Sequence, residues 1–497
     1  MKTRKIFEAM AIVTAISAVT RVIAFVFKIY LSRALGAEML GVYQITISIF
    51  MLATSLSASG IPTALSRHLA SLTATGDRRG ACGILTSALC LSSGIAILTI
   101  IFFYIFPNIT ALLFTDSRCT EMFVIMLPAL LSTSIYAVIR SYFWSQKNFF
   151  LYSISECGAE LLSIMVIVVT LVLGIFKGNM SKSVAYAYVI SDYIGVALLI
   201  VLFISKGGRM SKPTYMSRLV RSSTPITCTR LIGAIMSSMM ALLIPTLLVK
   251  HGMSTSLATA SYGRASGMVM SLIFAPSTIV GALAVVIIPE LASSTAVDKS
   301  AAGQVVSPAI SFSVIIACLF ISLYIAEGDR LCTFLYHDSI AGEYLERVAI
   351  LMLPMSINQI CVSLLNTMGY ESKTMTVHLI ASATLTLLIF ILPKHIGIYS
   401  YFVGLIVFHT LSSIMYLILI TRLSHIPRKC MIQLLGLIAV SMVLGRAIHA
   451  LRISHMHDFL AIVLASLTIL LVHAIYLIGT RMVHVDIFTT SLSKNIK

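Results

Sequence analysis

Long apolar runs separated by short polar connections occupy most of this chain of 497 residues. A helix needs about 20 apolar residues to cross the hydrocarbon core of a bilayer. The runs therefore predict an all-α polytopic membrane protein with about 14 transmembrane helices, TM1–TM14. The predicted spans are residues 10–32, 42–66, 82–106, 121–141, 153–176, 184–204, 225–249, 265–290, 306–326, 348–367, 375–393, 396–421, 431–449 and 458–480.

Similar segments divide the chain into two halves. Met-Leu-Pro occurs around Pro128 and again around Pro354, and each copy is followed by a lysine at the same distance, Lys147 and Lys373. Two further pairs align in the same order, Pro62 with Pro289 and Arg21 with Arg230. A repeat of six helices keeps both copies in one orientation, so an axis along the membrane normal relates them. We predict an N-terminal lobe at 1–210 (TM1–TM6), a C-terminal lobe at 211–424 (TM7–TM12), and extra helices TM13 and TM14 with a tail at 425–497.

Composition agrees with a membrane protein and excludes a soluble one. The chain is 58% hydrophobic and only 11% charged, and its net charge is +17. Soluble domains are about 25% charged. The positive charge lies mostly in short connections, so we assign it to topology and anionic lipid headgroups, not to nucleic acid. The nine cysteines form no CxxC pair or Cys/His cluster, and we expect no metal or cofactor.

The distribution of charge predicts the orientation. The connection at 206–221 holds five basic residues and no acid, whereas Glu327, Asp329 and Glu346 crowd a later connection. Basic connections remain in the cytoplasm. We therefore expect a multi-pass plasma-membrane protein with both termini cytoplasmic.

Arg21 is the most unusual residue of TM1. It is about 16 Å into the span at 1.5 Å per residue, where a charge costs ~2.5–3.5 kcal/mol. Lys28 follows seven residues later, within about 20° of the same helix face. Both charges should therefore face one water-filled space inside the bundle. For Lys28 the alternative is a side chain that extends to the membrane surface.

Three more charged residues are candidates for a transport site. Arg230 occupies the place of Arg21 in the second half, and Arg264 begins TM8; either could instead anchor a helix end to headgroups. Asp192, in TM6, could couple transport to a cation or serve as the counter-ion of Arg21. Glu156 and Glu160 are expected to pair with basic residues, Arg140 or Lys147.

The excess of basic groups predicts an anionic substrate. Arginine presents a planar fork of donors that matches phosphate. A lipid-linked diphosphate would place its headgroup in such a cavity and its tail in the membrane between the lobes.

Three segments resemble a known family: TRVIAFVFKIYLSRALGAEMLGVYQ, LATSLSASGIPTALSRHLA and the turn GDRRG at 76–80. They are similar to the stage V sporulation protein B group, in the polysaccharide-transporter branch of the multidrug/oligosaccharidyl-lipid/polysaccharide (MOP) flippase superfamily. The resemblance implies a flippase for a lipid-linked cell-wall or polysaccharide precursor, without enzymatic activity. Related lipid II flippases carry basic residues that Arg21, Lys28, Arg230 and Arg264 match or approach. Phe27 replaces a basic residue of those flippases, which leaves the glycan open.

The leading hypothesis is therefore export of an undecaprenyl-diphosphate-linked precursor, lipid II-like and possibly for spore cortex peptidoglycan, by alternating access. Arg21, Lys28, Arg230 and Arg264 would bind the diphosphate, and Asp192 would couple an ion. We expect a monomer whose other partners are membrane lipids and cell-wall synthases. The first alternative is a multidrug/cation antiporter, which should show more acidic groups within the membrane. A membrane transferase and a scaffold for wall synthesis are the others. The chain has no Walker loop and so no ATPase site of its own.

Overall fold

The computed structural model describes residues 2–174, 179–281, 302–423, 427–451, 456–480 and 482. Pro289, which the predicted repeat aligns with Pro62, lies outside these residues. The chain divides into two compact units, Met1–Gly267 and Met268–Lys497. The first unit extends beyond the predicted end of the N-terminal lobe at residue 210. The helices at 216–250 and 255–262 pack against the first helix of the chain and so belong to the same unit. The lobe boundaries at 210 and 424 stay predictions about the repeat.

Ten α-helices and a π-helical segment, Gly263–Val269, form the first unit as the structure describes it. The helices are α1 (Lys2–Ala58), α2 (Gly60–Ala74), α3 (Arg78–Ile105), α4 (Pro107–Leu113), α5 (Ser117–Met126), α6 (Ala129–Ser145), α7 (Phe149–Leu173), α8 (Met180–Ser205), α9 (Met216–Lys250) and α10 (Thr255–Tyr262).

Gly36 breaks the longest helical stretch. Val13–Ala74 is 62 residues long, and a straight helix of that length would be about 93 Å, three times the bilayer core. Gly36 has φ 70° and ψ 173°, a conformation that side-chain-bearing residues avoid. The chain therefore turns at Gly36 into two arms, each long enough to cross a membrane.

Short polar side chains set where several helices begin. Asp77 accepts a hydrogen bond from the backbone N–H of Gly80 at 2.8 Å, and Asn148 accepts one from Leu151 at 3.2 Å. Such N-caps satisfy donors that the first turn leaves without partners. At the other end of α7, Gly174 adopts the left-handed conformation that ends helices. The polar connections of the sequence thus coincide with helix boundaries.

A charged cluster joins the second arm of α1 to the start of α5. Arg118 Nη2 lies 2.6 Å from Glu38 Oε1 and 2.7 Å from Asp116 Oδ2. Nearby, α1 approaches α10 so closely that a Cβ on Gly41 would lie 2.0 Å from the carbonyl oxygen of Thr259. We call these five residues, Glu38, Gly41, Asp116, Arg118 and Thr259, the seam.

Eight helices form the described part of the second unit, after a helical stretch at 270–281. They are α11 (Ala302–Tyr336), α12 (Ser339–Val348), α13 (Met352–Thr367), α14 (Glu371–Ile391), α15 (Pro393–Ile396), α16 (Tyr399–Leu423), α17 (Arg428–Ala450) and α18 (Asp458–Gly479). The 10-residue helix α12 precedes the 16-residue helix α13, which begins near Pro354. In the first unit, α5 and α6 have 10 and 17 residues around Pro128, as the predicted repeat requires.

The described residues include 11 helices long and apolar enough to cross a membrane, or 12 if the pair α5 and α6, bent by 49°, forms one span. The prediction of an all-α polytopic protein is confirmed. The count of 14 is not confirmed: the stretch with Gly36 counts once among the 11, and the predicted TM8 extends beyond residue 281.

Candidate functional site: a pocket behind Lys28

A pocket of about 440 Å³ lies within the first unit, between α1, α7 and the π-helical segment. We call it the Lys28 pocket. Its walls combine apolar side chains with four polar ones, Lys28, Tyr43, Gln44 and Glu160. The remaining lining residues are Ala24, Phe27, Leu31, Leu40 and Gly267. An apolar pocket with a few convergent polar groups is the usual form of a ligand site.

The break at Gly36 builds this pocket from both arms of α1. Lys28 precedes the break and Tyr43 follows it, yet both line the same space. Glu160 reaches the pocket from near the middle of α7, which packs along α1. Three points of the sequence, distant along the chain, thus meet in one place.

The charges of the pocket face each other without touching. Lys28 is exposed to the pocket opening and Glu160 is half-buried. No direct ion pair joins them in the described part of the chain. Lys28 lines the pocket and is exposed, and its role in binding stays a prediction, as does the alternative of a side chain that extends to the membrane surface.

Arg21 lies on the first arm of α1, two turns before Lys28, and its side chain is exposed. It has no hydrogen bond or ion pair among the residues that the structure describes. Its helix face is that of Lys28, as the seven-residue spacing requires. The role of Arg21 in binding stays a prediction.

Arg230 contacts a different part of the unit, the junction of α1 and α2. Its Nη1 donates to the carbonyl oxygen of Ser59 at 2.8 Å, and its Nη2 donates to Thr63 Oγ1 at 3.2 Å. The side chain thus connects α9 to the point where helix α2 begins. These contacts stabilise a helix junction and leave part of the exposed guanidinium accessible.

Arg264 lies in the π-helical segment Gly263–Val269 and is half-buried. π-Helical turns are rare and are frequently found at functional sites. Gly267, three residues later, forms part of the wall of the Lys28 pocket. The structure thus places the segment that contains Arg264 beside the pocket. Arg264 itself is not one of the residues that line the pocket.

Asp192 is bound by hydroxyl groups. It accepts hydrogen bonds from Ser132 Oγ and, at 2.9 Å, from Thr133 Oγ1, both on α6. It lines a second pocket, of about 310 Å³, with Tyr136 and Tyr188. No direct ion pair joins Asp192 and Arg21 in the part of the chain that the structure describes, and the coupling role of Asp192 stays a prediction.

The two glutamates of α7 have different surroundings. Glu156 Oε1 lies 3.3 Å from Arg140 Nη2, so the predicted pairing is confirmed for Glu156. It is wrong for Glu160, which faces the Lys28 pocket. The sequence placed both on one helix face, but helix periodicity alone gives no information on which neighbour each residue meets.

Comparison with known proteins extends the resemblance. The chain is 24% identical over 412 residues to stage V sporulation protein B of Bacillus subtilis (strain 168), covering 79% of this chain and 78% of that protein. The predicted resemblance to the stage V sporulation protein B group is confirmed.

Solved structures of transporters share the fold. A structure titled lipid II flippase MurJ, in an inward closed conformation, has a TM-score of 0.75 at 12% identity and covers 95% of this chain and 99% of its own. An inward-facing multidrug resistance MATE family transporter of the MOP superfamily has a TM-score of 0.64 at 14% identity, covering 88% and 100%. At such identities the similarity establishes the fold alone. Residues 7–295, more than half of the chain, match the family described as polysaccharide biosynthesis protein, and the chain belongs to that family.

Proposed function

We propose that this protein moves a lipid-linked diphosphate glycan, a cell-wall or polysaccharide precursor, across the plasma membrane by alternating access. The observation that carries the proposal is the Lys28 pocket, an apolar cavity that holds a basic side chain within a membrane span. An ionisable side chain within a membrane span is a functional-site hypothesis by default. The diphosphate would meet Lys28 and Arg21, and the polyprenyl tail would remain in lipid.

The relatives favour this substrate class over others. The family is described by polysaccharide biosynthesis, one similar structure is a lipid II flippase, and one relative is a sporulation protein. We extend the proposal to an undecaprenyl-linked, lipid II-like precursor, with spore cortex peptidoglycan as the product served. Arg230 and Arg264 would complete the anion site, and Asp192 would bind a coupling ion. We further propose a monomer that works beside cell-wall synthases, with both termini cytoplasmic.

Complementation tests the proposal. A cell that lacks its lipid-linked precursor flippase receives the wild type, Arg21→Ala, Arg21→Lys or Lys28→Ala at matched membrane levels. We expect rescue by the wild type, loss with both alanine variants and partial rescue with Arg21→Lys. Lys250→Ala, which removes an exposed charge at the end of α9, is the control and should rescue fully. Full rescue by both Arg21→Ala and Lys28→Ala would contradict the proposed anion site.

The second candidate is a multidrug/cation antiporter, which the similarity to a MATE transporter favours. Glu160 and Asp192 supply two acids inside the predicted spans. Expression in a drug-sensitive cell separates the two functions. Protection against cationic drugs, abolished by Asp192→Asn, would favour the antiporter, whereas the flippase proposal expects no protection. A flippase that works normally as Asp192→Asn would exclude Asp192 as the coupling site.

A further inference from the structure

Glu160 is an acid in a pocket that the proposed function assigns to an anion, and that function gives it no role. It lies near the middle of α7, where an unbalanced charge is costly. Its neighbour Glu156 has a direct partner, Arg140, at 3.3 Å. Glu160 has none among the described residues and shares its pocket with Lys28. No ion pair therefore fixes the charge of Glu160, and another anion could replace it beside Lys28.

The other groups near Glu160 lie on the three helices that pack against α7, namely α1, α6 and α8. The titratable or charged groups on these faces and on α7 itself are Arg21, Lys28, Tyr43, Tyr136, Arg140, Tyr152, Glu156, Tyr188 and Asp192. Asp192 is an acid that accepts hydrogen bonds from Ser132 and Thr133, so it supplies no cation for Glu160. Phenols stay neutral over the range in which bacteria grow. Arg140 is paired with Glu156. Arg21 lies two turns before Lys28 on the same face of α1, but it does not line the pocket. Lys28 is the cation that shares the pocket wall with Glu160.

We propose that Glu160 is the built-in counter-charge of Lys28, which a substrate diphosphate replaces while Glu160 takes up a proton. The inference rests on the proposed function. In the empty pocket, Lys28 and Glu160 balance each other and leave no net charge within the membrane. When a diphosphate binds Lys28, it adds negative charge beside Glu160. Like charges at short range cannot both persist, and a proton on Glu160 removes the conflict.

The proposal makes proton and anion binding reciprocal. A bound diphosphate favours the protonated carboxyl, and a protonated carboxyl frees Lys28 for the anion, because linkage between two ligands is symmetric. Glu160 is then a positioning residue that acts through Lys28. Removing its charge should strengthen anion binding at neutral and alkaline pH and have no effect where the carboxyl is already protonated.

Binding of undecaprenyl diphosphate to the full chain in detergent micelles, followed from about pH 5.5 to about pH 8, tests this. We expect Glu160→Gln to bind about tenfold more tightly than the wild type at the alkaline end, and the two to converge at the acid end. Glu160→Asp should keep the pH dependence of the wild type. Comparing variants at one pH removes the titration of the diphosphate itself.

Proton uptake gives a second, independent readout. In weakly buffered solution with a pH indicator, the wild type should take up more protons per bound diphosphate than Glu160→Gln at neutral pH. Glu156→Gln is the matched control, one turn away on α7, and should behave as the wild type. Equal affinities and equal proton uptake for wild type and Glu160→Gln would overturn the inference.

Lys28→Met separates the two proposals. If it abolishes diphosphate binding while Glu160→Gln changes nothing, the anion site stands and the counter-charge role of Glu160 fails. If Lys28→Met binds diphosphate as the wild type does, the proposed anion site at Lys28 itself fails. If Glu160→Gln tightens binding and Lys28→Met removes that gain, both proposals are supported.

Discussion

The Lys28 pocket and the seam are two charged regions of the first unit, and both use α1. In the seam, Arg118 meets Glu38 at 2.6 Å and Asp116 at 2.7 Å, and the helices approach until only a glycine fits at position 41. In the pocket, Lys28 and Glu160 face about 440 Å³ of open space without a direct contact. One region uses its charges to hold helices together, whereas the other keeps them available.

Structural and functional charges in a membrane protein can thus be separated by whether they form an ion pair or border open space. Removing one partner of a satisfied ion pair leaves the other uncompensated, which destabilises the fold. A charge that borders open space contributes little to packing, so its removal should change function more than stability. Substitutions in the seam should therefore lower the free energy of unfolding much more than substitutions in the Lys28 pocket.

The largest effect is expected for Gly41→Ala. The added methyl group would meet the backbone carbonyl oxygen of Thr259, and backbone cannot move aside as a side chain can. We expect a loss of about 3 kcal/mol in the free energy of unfolding, measured by denaturant titration in detergent micelles. Gly94→Ala is the control, because nothing lies within 4 Å of a Cβ there. Alanine favours a helix over glycine by about 1 kcal/mol, so that variant should be unchanged or more stable.

Arg118→Ala should have the next largest effect. It leaves Asp116, which is 7% exposed, and Glu38 without their shared cation. Because Arg118 is itself 37% exposed, we expect about 2 kcal/mol, below the cost for a fully buried pair. Lys28→Met removes one charge from the pocket, and Glu160 can take up a proton so that no unbalanced charge remains. The free energy of unfolding should therefore change by less than about 0.5 kcal/mol. Equal losses for Arg118→Ala and Lys28→Met would remove the distinction between the regions.

The smallest expected effect is a pH dependence of the free energy of unfolding that arises from Asp116 in the seam. Burial opposes ionisation of Asp116, but hydrogen bonds from Arg118 and Thr259 outweigh it and hold the pKa of the Asp116 carboxyl below its ordinary value. A lowered pKa in the folded state stabilises the fold above the ordinary carboxyl pKa, and this stabilisation is lost as the pH falls through the lowered value. The stability difference between wild type and Asp116→Asn should therefore shrink below about pH 4. A constant difference across that range would show that the Asp116 charge does not stabilise the seam.

Hydropathy was enough to predict the helical membrane fold, because the bilayer imposes about 20 apolar residues on every span. The two copies of Met-Leu-Pro, used to align the halves, lie at similar places in the structure: Pro128 directly precedes α6, and Pro354 lies in the first turn of α13. The tight turn at Gly36 was predicted only as a gap between spans at 32 and 42. Helix continues on both sides of Gly36 because one glycine at positive φ is sufficient to interrupt it.

The site was only partly predictable. The seven-residue spacing of Lys28 from Arg21 indicated an internal position on a shared helix face, and the structure places Lys28 in the wall of a pocket. Glu160 was assigned to an ion pair because its spacing from Glu156 suggested one shared role. The pairing of Arg230 with the Ser59 carbonyl was not predictable at all, since it depends on the crossing of α9 and α2 and not on any local pattern. The periodicity of a helix does not predict its contacts with helices that are distant in the sequence.

The turn at Gly36 also bears on how the protein is made. A single non-helical residue joins the two arms of α1, so the insertion of one arm constrains the other. We expect the arms to enter the bilayer together, so that the apolar second arm offsets the insertion cost of Arg21 and Lys28, ~2.5–3.5 kcal/mol for each charge at the bilayer centre. A side chain at Gly36 would then lower the yield of inserted protein during biosynthesis, before any transport could be measured.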